Sequence, residues 1–195
     1  MGSFFVILGV SKIYLMQLRP HQEKAIQAMS RHEKGQVIVP TGGGKTICMI
    51  QDAIEQFKSD RLKTIVVVAP RILLANQLCE EFLEFIDDVD VLHVHSGETH
   101  HDSTTNSKKI EEWHWKSRRN QLIFTTYHSL HKIQGATAML PDTVYFDEAH
   151  NAVQKNFIEA VEHHSMYVVR NYFFTATPKH SFTPFKVGMN DTDIF

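Results

Sequence analysis

The residues best suited to bind a nucleotide form a glycine-rich segment, VPTGGGKT, at positions 39–46. It follows an apolar run and opens a stretch with helical spacing, which is the context that a phosphate-binding loop requires. Glycine lets the backbone wrap an anion with its N–H groups, and a helix N-terminus adds partial positive charge. We expect Lys45 to reach the β- and γ-phosphates and the Thr46 hydroxyl to ligate Mg²⁺. The nucleotide-binding residues predicted here are Thr41, Gly42, Gly43, Gly44, Lys45 and Thr46.

One position departs from the usual pattern of a phosphate-binding loop. That pattern places a glycine five residues before the last glycine of the loop, where this sequence has Val39. The competing interpretation is a glycine-rich turn that binds no ligand. A Lys-Thr pair directly after the glycine run, between a strand and a helix, favours the phosphate site.

A second segment with reactive side chains, DEAH at positions 147–150, follows the apolar run VYF at 144–146. The carboxyl ends of parallel strands are where such sheets present ligand-binding groups. Asp147 is expected to hold Mg²⁺, directly or through water, and Glu148 to orient and polarise an attacking water. Two acids before a helix can also simply favour its positive end. Together with the glycine-rich segment, they predict a joint grip on triphosphate and Mg²⁺, with the two segments on neighbouring strands.

Apolar strands alternate with helical segments along the chain, which predicts an α/β fold with a parallel sheet and helices on both faces. The β-branched run TIVVVA, for example, is typical of a buried strand. Strands are predicted at 36–39, 64–69, 90–95, 121–125, 143–147 and 167–175, and helices at 20–31, 45–58, 72–86, 108–119, 126–133 and 151–163. The polar residues 96–107 lack periodicity and are predicted to form a mobile loop.

Composition places the 195-residue chain among globular proteins, with 43% hydrophobic and 22% charged residues. The net charge of −2 neither supports nor excludes nucleic-acid binding, so any such contact must come from a local patch. Cys48 and Cys79 are predicted to be buried thiols in a reducing compartment. Residues 1–15 are predicted to be an N-terminal extension or edge strand, with a signal peptide as the alternative. We expect no membrane-spanning segment.

The order of several segments resembles the first RecA-like domain of superfamily 2 helicases and translocases. These segments are LRPHQ at 18–22, PTGGGKT at 40–46, APR at 69–71 with Leu74 and Gln77, TTYHSL at 125–130, DEAH at 147–150 and TAT at 175–177. The resemblance implies a P-loop NTPase of RecA-like fold over residues 16–180. Residues 181–195 would be a tail, or the start of a linker to a second lobe.

The resemblance also implies roles for residues outside the glycine-rich loop. Arg19 and Gln22 would bind the nucleotide, with the Gln22 amide reading the adenine as both donor and acceptor. His150 would join the catalytic residues, and Thr175 and Thr177 would couple hydrolysis to nucleic-acid movement. From chemistry alone, Gln22 is equally consistent with a solvated side chain and Arg19 with a surface ion pair.

A nucleic-acid path is implied by the same resemblance. Pro70, Arg71, Thr125, Thr126 and Tyr127 would line the path of one strand's phosphates, without reading base sequence. Such binding to DNA or RNA weakens as salt rises. The alternatives are a solvated charge for Arg71 and core packing for Tyr127.

The function that follows is ATP hydrolysis coupled to movement on DNA or RNA. Few residues follow Pro178, far fewer than the roughly 50 of a small domain. We therefore expect this chain to lack the second RecA-like lobe, to bind ATP, to hydrolyse it weakly and to unwind nothing alone. The expected location is the cytoplasm or nucleoid, or the host cytoplasm for a viral protein.

Other functions are consistent with the same motifs. A phosphotransferase with a P-loop would need no nucleic acid, and a truncated module could bind nucleotide or nucleic acid without catalysis. Within the motor hypothesis, the motor subunit of a restriction enzyme shares these motifs with repair, recombination and phage helicases.

Two further clusters of residues have functional alternatives that their sequence context disfavours. His93, His95, His100 and His101 could hold a metal, but their spacing matches no zinc pattern, so polar surface histidines are favoured. The segment 108–119 mixes basic residues with two tryptophans, which can bind single strands. Its acids favour an exposed helix packed by one tryptophan instead.

Overall fold

The computed structural model describes residues 4–8, 13–184 and 186–195, and side chains from residue 17 onwards except at 185. The strands are β1 (Phe4–Leu8), β2 (Ile13–Gln17), β3 (Lys34–Ile38), β4 (Thr64–Ala69), β5 (Val89–Val94), β6 (Asp102–Ser103), β7 (Asn120–Thr126), β8 (Thr143–Phe146) and β9 (Arg170–Thr175). The helices are α1 (Pro20–Arg31), α2 (Lys45–Phe57), α3 (Ile72–Leu83), α4 (Ser107–Lys116), α5 (Leu130–Gln134) and α6 (Ile158–Tyr167), with a short 3₁₀ helix at Ala149–Asn151.

Strands β3 to β9 form one seven-stranded sheet in the order β3-β9-β8-β4-β7-β5-β6. Every pairing in that sheet is parallel. The remaining strands, β1 and β2, pair antiparallel in a separate two-stranded sheet. The predicted parallel α/β fold is confirmed, and the predicted extension contributes this separate hairpin up to Gln17.

Two hydrophobic cores lie on opposite faces of the sheet, and β4 shows how the sequence builds both. Its side chains alternate along the strand: Val66 and Val68 enter one core, and Ile65, Val67 and Ala69 enter the other. Period-two alternation puts apolar groups on both faces, which only a sheet covered on both sides can bury. Helices α1, α2 and α3 contribute to the second core and α4, α5 and α6 to the first, through Met29, Met49, Phe82, Ile110, Leu130 and Val161.

Several boundaries differ from the sequence prediction. The predicted loop at 96–107 contains the edge strand β6, which pairs Asp102 with Leu92 of β5 and is too short for any periodicity to show. The predicted helix at 151–163 begins later, because the chain first makes a 3₁₀ turn in which the Asn151 backbone N–H donates to the Glu148 carbonyl at 2.9 Å. Strand β7 likewise continues through Thr126, so α5 starts at Leu130.

The last residues of the chain pack onto the domain. Met189, Ile194 and Phe195 are buried in the core beside α6, and the Phe195 ring meets Phe173 edge-on with centroids 4.8 Å apart. The segment predicted as a tail or linker therefore contributes to the core of this domain. Among the described residues, no helix has the length and apolar character to cross a bilayer.

Candidate active site

The glycine-rich loop between β3 and α2 has the backbone that its sequence requires. Gly42 and Gly44 have φ values of +72° and +80°, a left-handed conformation that side chains strongly disfavour. A Cβ on Gly43 would lie 2.5 Å from Val39 Cγ1 and 2.7 Å from the Pro40 carbonyl oxygen. All three glycines are thus needed for the shape of the loop.

The departure at Val39 has a structural reason. Val39 is buried, and its N–H donates to the Thr175 carbonyl at 3.1 Å, which continues the β3–β9 pairing by one residue. At this position the chain is still extended, so glycine is not required. The loop therefore begins at Pro40, whose carbonyl accepts from the Gly43 N–H at 2.8 Å.

Helix α1 holds the outer side of the loop through its carbonyls. Arg19 Nη1 donates to the Gly42 carbonyl at 3.2 Å, and Gln22 Nε2 donates to those of Gly43 and Gly44 at 3.2 and 3.4 Å. With the carbonyls turned toward α1, the N–H groups at the start of α2, which have no acceptor within the helix, remain available for an anion.

Gln22 supports the phosphate loop, a role that the sequence did not predict. It is buried, and its Oε1 also accepts from the Arg19 N–H at 2.8 Å, so both ends of the amide are bonded within the protein. Gln22 braces the loop in this structure, and contact with an adenine would require release of one of these bonds. His21, which was not predicted, shares the bracing through Nε2 at 2.7 Å from the Gly43 carbonyl oxygen.

The acidic pair lies one strand further from the loop than predicted. The loop follows β3 and Asp147 follows β8, but β9 is inserted between those strands, so they are not neighbours. Lys45 closes the gap, because its Nζ contacts Glu148 Oε1 and lies 3.9 Å from Asp147 Oδ1. The predicted meeting of loop and acids therefore occurs across the end of β9.

A cavity of about 290 Å³ joins the two segments, with α3 forming its other wall. Thr46 and Asp147 both line it, as do Gln77 and Glu81 of α3. The hydroxyl and carboxylate oxygens of Thr46 and Asp147 are hard ligands of the kind that Mg²⁺ prefers. The donor set thus fits the predicted Mg²⁺ site, next to the ammonium group expected to meet a phosphate.

The two acids differ in their surroundings. Burial raises the pKa of Asp147 to about 6; the Lys45 ammonium opposes this rise and the Glu148 carboxylate adds to it. Glu148 has a φ of +46°, a left-handed backbone that is costly for a residue other than glycine. Strain of this kind is typical of functional sites, where the surrounding structure fixes it.

His150 connects the acids to β9. Its Nδ1 lies 3.1 Å from Thr175 Oγ1 and 3.4 Å from Glu148 Oε2, and burial lowers its pKa. Thr175 Oγ1 also accepts from the Thr177 N–H at 3.1 Å, so Thr177 enters the network through its backbone while its side chain is exposed. The coupling role of these threonines stays a prediction, but the contacts it requires are present.

The comparison with protein families decides the class of this domain. Residues 15–180 match the family described as "Type III restriction enzyme, res subunit" (ResIII), which is most of the chain. The chain belongs to the ResIII family. The RecA-like, superfamily 2 helicase domain expected from the order of its motifs is thereby confirmed. No match was found among curated proteins.

Solved structures share the fold of this ResIII domain. A nuclease-deletion mutant of the Type ISP restriction-modification enzyme LlaGI, in complex with a DNA substrate mimic, aligns with a TM-score of 0.73 and 22% identity over 91% of this chain and 19% of that one. The DNA-bound Type ISP enzyme LlaBIII gives 0.70 and 23% over 86% and 13%. The Hef helicase domain of Pyrococcus furiosus gives 0.64 and 19% over 85% and 34%. The ResIII chain thus spans about a third or less of each.

The residues predicted to contact nucleic acid divide into two groups. Pro70 and Arg71 line a second cavity, of about 390 Å³, that also reaches Glu148, His150 and the exposed His128. His128 lies in a segment that the motif resemblance included, although no role was assigned to it.

The other three predicted contacts, Thr125, Thr126 and Tyr127, have buried side chains, although Tyr127 also lines the 390 Å³ cavity. Their role as nucleic-acid contacts stays a prediction. Thr125 and Thr126 lie in β7, and the Thr125 hydroxyl donates to the Val94 carbonyl at 2.8 Å. The Tyr127 hydroxyl donates to the Asp147 carbonyl at 2.8 Å, and its ring stacks on Phe157. Core packing, the alternative interpretation of Tyr127, is therefore the one observed, and it supports the strand end that carries Asp147.

The raised pKa of Asp147 predicts how Mg²⁺–nucleotide binding depends on pH. The protonated acid is a poor Mg²⁺ ligand, so affinity should fall about tenfold per pH unit below about pH 6. The stability of the fold should instead decrease as pH rises. Because the Asp147 pKa is higher in the folded state than in the unfolded chain, the free energy of unfolding should fall between about pH 4 and pH 6. The affinity can be measured by calorimetric titration of Mg–ADP between about pH 5 and pH 8, a range that brackets the pKa of Asp147.

Asp147→Asn is the control for the titration of the nucleotide itself. It should bind Mg–ADP more weakly at neutral pH and show only the pH dependence of the nucleotide. Equal slopes for the wild type and Asp147→Asn would mean that Asp147 is not a Mg²⁺ ligand.

Proposed function

We propose that this ResIII domain binds Mg–ATP and hydrolyses it as one lobe of a motor that moves along DNA or RNA. The observation that carries the proposal is the position of Lys45, which starts the helix after the phosphate loop and contacts the acidic pair beyond β9. A structural salt bridge alone would not need a left-handed glycine loop, a cavity and a strained Glu148 around it.

The contacts suggest how the site responds to a nucleotide. Lys45 now neutralises Glu148, and a phosphate in the loop would attract the ammonium away from that carboxylate. Glu148 would then be free to orient water and accept its proton. Bound Mg²⁺, held by Thr46 and Asp147, would supply positive charge to the phosphates and keep Asp147 ionised.

Efficient hydrolysis is proposed to need a second lobe. In superfamily 2 motors the second RecA-like lobe supplies arginines to the γ-phosphate, and such an arginine contributes about 10³–10⁵ in rate in related hydrolases. We infer that the residues of this chain bind ATP well but hydrolyse it slowly on their own. Because the type ISP enzymes that share the fold were solved with DNA, DNA is the first partner to test.

Two other functions make different demands on the same residues. A phosphotransferase would need an acceptor site and no nucleic acid, yet the cavity beside Glu148 opens toward Arg71 and His128, which suit a phosphate backbone. A module that binds nucleotide without catalysis would not require an acid positioned as Glu148 is. Whether single-stranded DNA or RNA changes the rate of ATP hydrolysis separates the motor from the transferase.

Replacing Glu148 should separate binding from chemistry. Glu148→Gln should bind Mg–ATP at least as tightly as the wild type, because the amide no longer competes for Lys45. Its hydrolysis, measured by phosphate release with single-stranded DNA present, should fall about 10²–10⁴-fold, the usual contribution of a positioned base. Glu162→Gln, an exposed site on α6, is the matched control. If the rate of Glu148→Gln lies within about twofold of the control, which is roughly the scatter of such assays, Glu148 is not the catalytic base.

Replacing Arg71 tests the proposed nucleic-acid path. If Arg71 contacts one phosphate, Arg71→Ala should weaken single-stranded DNA binding and lower the slope of log K against log salt by about 0.7. Arg31→Ala is the control for the loss of one exposed positive charge. Arg31 lies at the amino end of the strands, where α1 ends before β3 begins, whereas Arg71 follows the carboxyl end of β4. Fluorescence anisotropy at several salt concentrations gives both slopes. Equal slopes for the two variants would place the strand elsewhere.

A further inference from the structure

A third cavity, of about 700 Å³, lies between α3, the end of β5 and the segment that leads into β6. Its lining includes Cys79, His93 and His101, and it shares no residue with the phosphate cavity on the other side of α3. His93 and His95 are buried, which corrects their favoured interpretation as surface histidines, whereas His100 and His101 are exposed as that interpretation expected.

Three side chains of metal-ligand type meet in this cavity. One ligand atom from each of Cys79, His93 and His101 lies within 4.8 Å of the other two. Cys79 comes from α3, His93 from β5 and His101 from the segment between β5 and β6. Residues so far apart in sequence would not produce a recognisable zinc spacing, which explains why the histidines alone did not predict the site.

An unpartnered nitrogen is the second, independent observation. His93 is fully buried, and its Nε2 has no hydrogen-bond partner among the described residues. Its Nδ1 lies 2.9 Å from His95 Nε2, so only Nε2 is left to face a ligand, and the His101 ring stacks parallel to it at 5.7 Å. A buried nitrogen without a partner is costly, and a bound metal would satisfy it.

We propose that Cys79, His93 and His101 form a structural Zn²⁺ site that fastens the segment between β5 and β6 to α3. One thiolate and two imidazoles suit a borderline-soft ion such as Zn²⁺ and suit Mg²⁺ poorly. The Glu80 carboxylate, which also lines the cavity, would complete the closed four-coordination of a structural site.

The geometry requires only a modest closure around the ion. Tetrahedral bonds of the usual Zn–N and Zn–S lengths place ligand atoms about 3.5 Å apart, compared with up to 4.8 Å here. His101 is exposed and lies on a connecting segment, so it can make most of that movement, while Cys79 and His93 are fixed in the core.

Metal binding would also rearrange two protons. The Gly97 N–H donates to His95 Nδ1 at 3.2 Å, which in a neutral ring puts the proton of His95 on Nε2, facing His93. A metal on His93 Nε2 requires the opposite arrangement, in which His93 Nδ1–H donates to His95 Nε2 and His95 Nδ1 carries the proton instead of accepting from Gly97. Burial raises the pKa of the Cys79 thiol to about 12, so the ion must displace that proton to form the thiolate.

Cobalt provides a direct test, because a thiolate bound to Co²⁺ gives a charge-transfer band that a carboxylate or imidazole site lacks. The full chain, purified without a histidine tag, should bind one equivalent of Co²⁺ with that band and release it to Zn²⁺. His101→Ala should lower the affinity at least tenfold, about the smallest loss expected for a ligand. His100→Ala removes the neighbouring exposed histidine and should leave binding unchanged.

A second pair of variants tests the thiol. Cys79→Ala should lose the charge-transfer band, and Cys48→Ala, which removes the other buried cysteine, should keep it. Zn²⁺ at about one hundred times its Kd should raise the Tm of the wild type by roughly 5–10 °C and that of His101→Ala by much less. If the wild type binds Co²⁺ without the band, or His101→Ala binds as tightly as His100→Ala, the site does not exist. The exposed position of His101 keeps this comparison valid even if Cys79→Ala fails to fold.

Discussion

Lys45 holds the phosphate loop and the acidic pair together across the carboxyl end of the sheet. Its ammonium lies 3.9 Å from Asp147 and contacts Glu148, with only 13% of its side chain exposed. At an effective dielectric constant of about 20, two unit charges at that distance attract by about 4 kcal/mol before desolvation is counted. Burial offsets this attraction, since it raises the pKa of Asp147 despite the Lys45 ammonium. The contact therefore fixes the position of the two segments, and a phosphate that takes the place of the carboxylates would supply an equivalent attraction.

The rest of the domain positions the two ends of this contact. Arg19 and Gln22, at the start of α1, donate hydrogen bonds to the carbonyls of the phosphate loop. The backbone N–H groups of the loop are therefore left facing the cavity. On the acidic side, Tyr127 bonds the Asp147 carbonyl from within the core. Strand β9 lies between them and ends at Thr175, which bonds His150. A shift of β9 would therefore be felt by the loop and the acids together, which is the property that a coupling element needs.

Local patterns in the sequence predicted most of this arrangement, because they arise from local physics. The run TIVVVA could bury both faces only as a central strand, and the glycines before Lys45 could adopt only an unusual backbone that suits an anion. The insertion of β9 between β3 and β8 was missed, since strand order depends on long-range pairing and leaves no local mark. The same is true of Cys79 and His101, which only the fold brings together, and of Tyr127, whose aromatic side chain suits a core and a binding surface equally well.

The most direct measurement of the joint site is the heat of Mg–ATP binding to the folded chain, compared between two lysine variants at the ends of α2. Lys45→Ala removes the contact between loop and acids, whereas Lys58→Ala removes an exposed lysine that follows the same helix and pairs with Glu55. We expect saturable binding to the wild type and to Lys58→Ala, and an affinity at least about tenfold lower for Lys45→Ala, equivalent to about 1.4 kcal/mol. Equal affinities for the two variants, or no heat of binding to well-folded wild type, would contradict a triphosphate site built on Lys45.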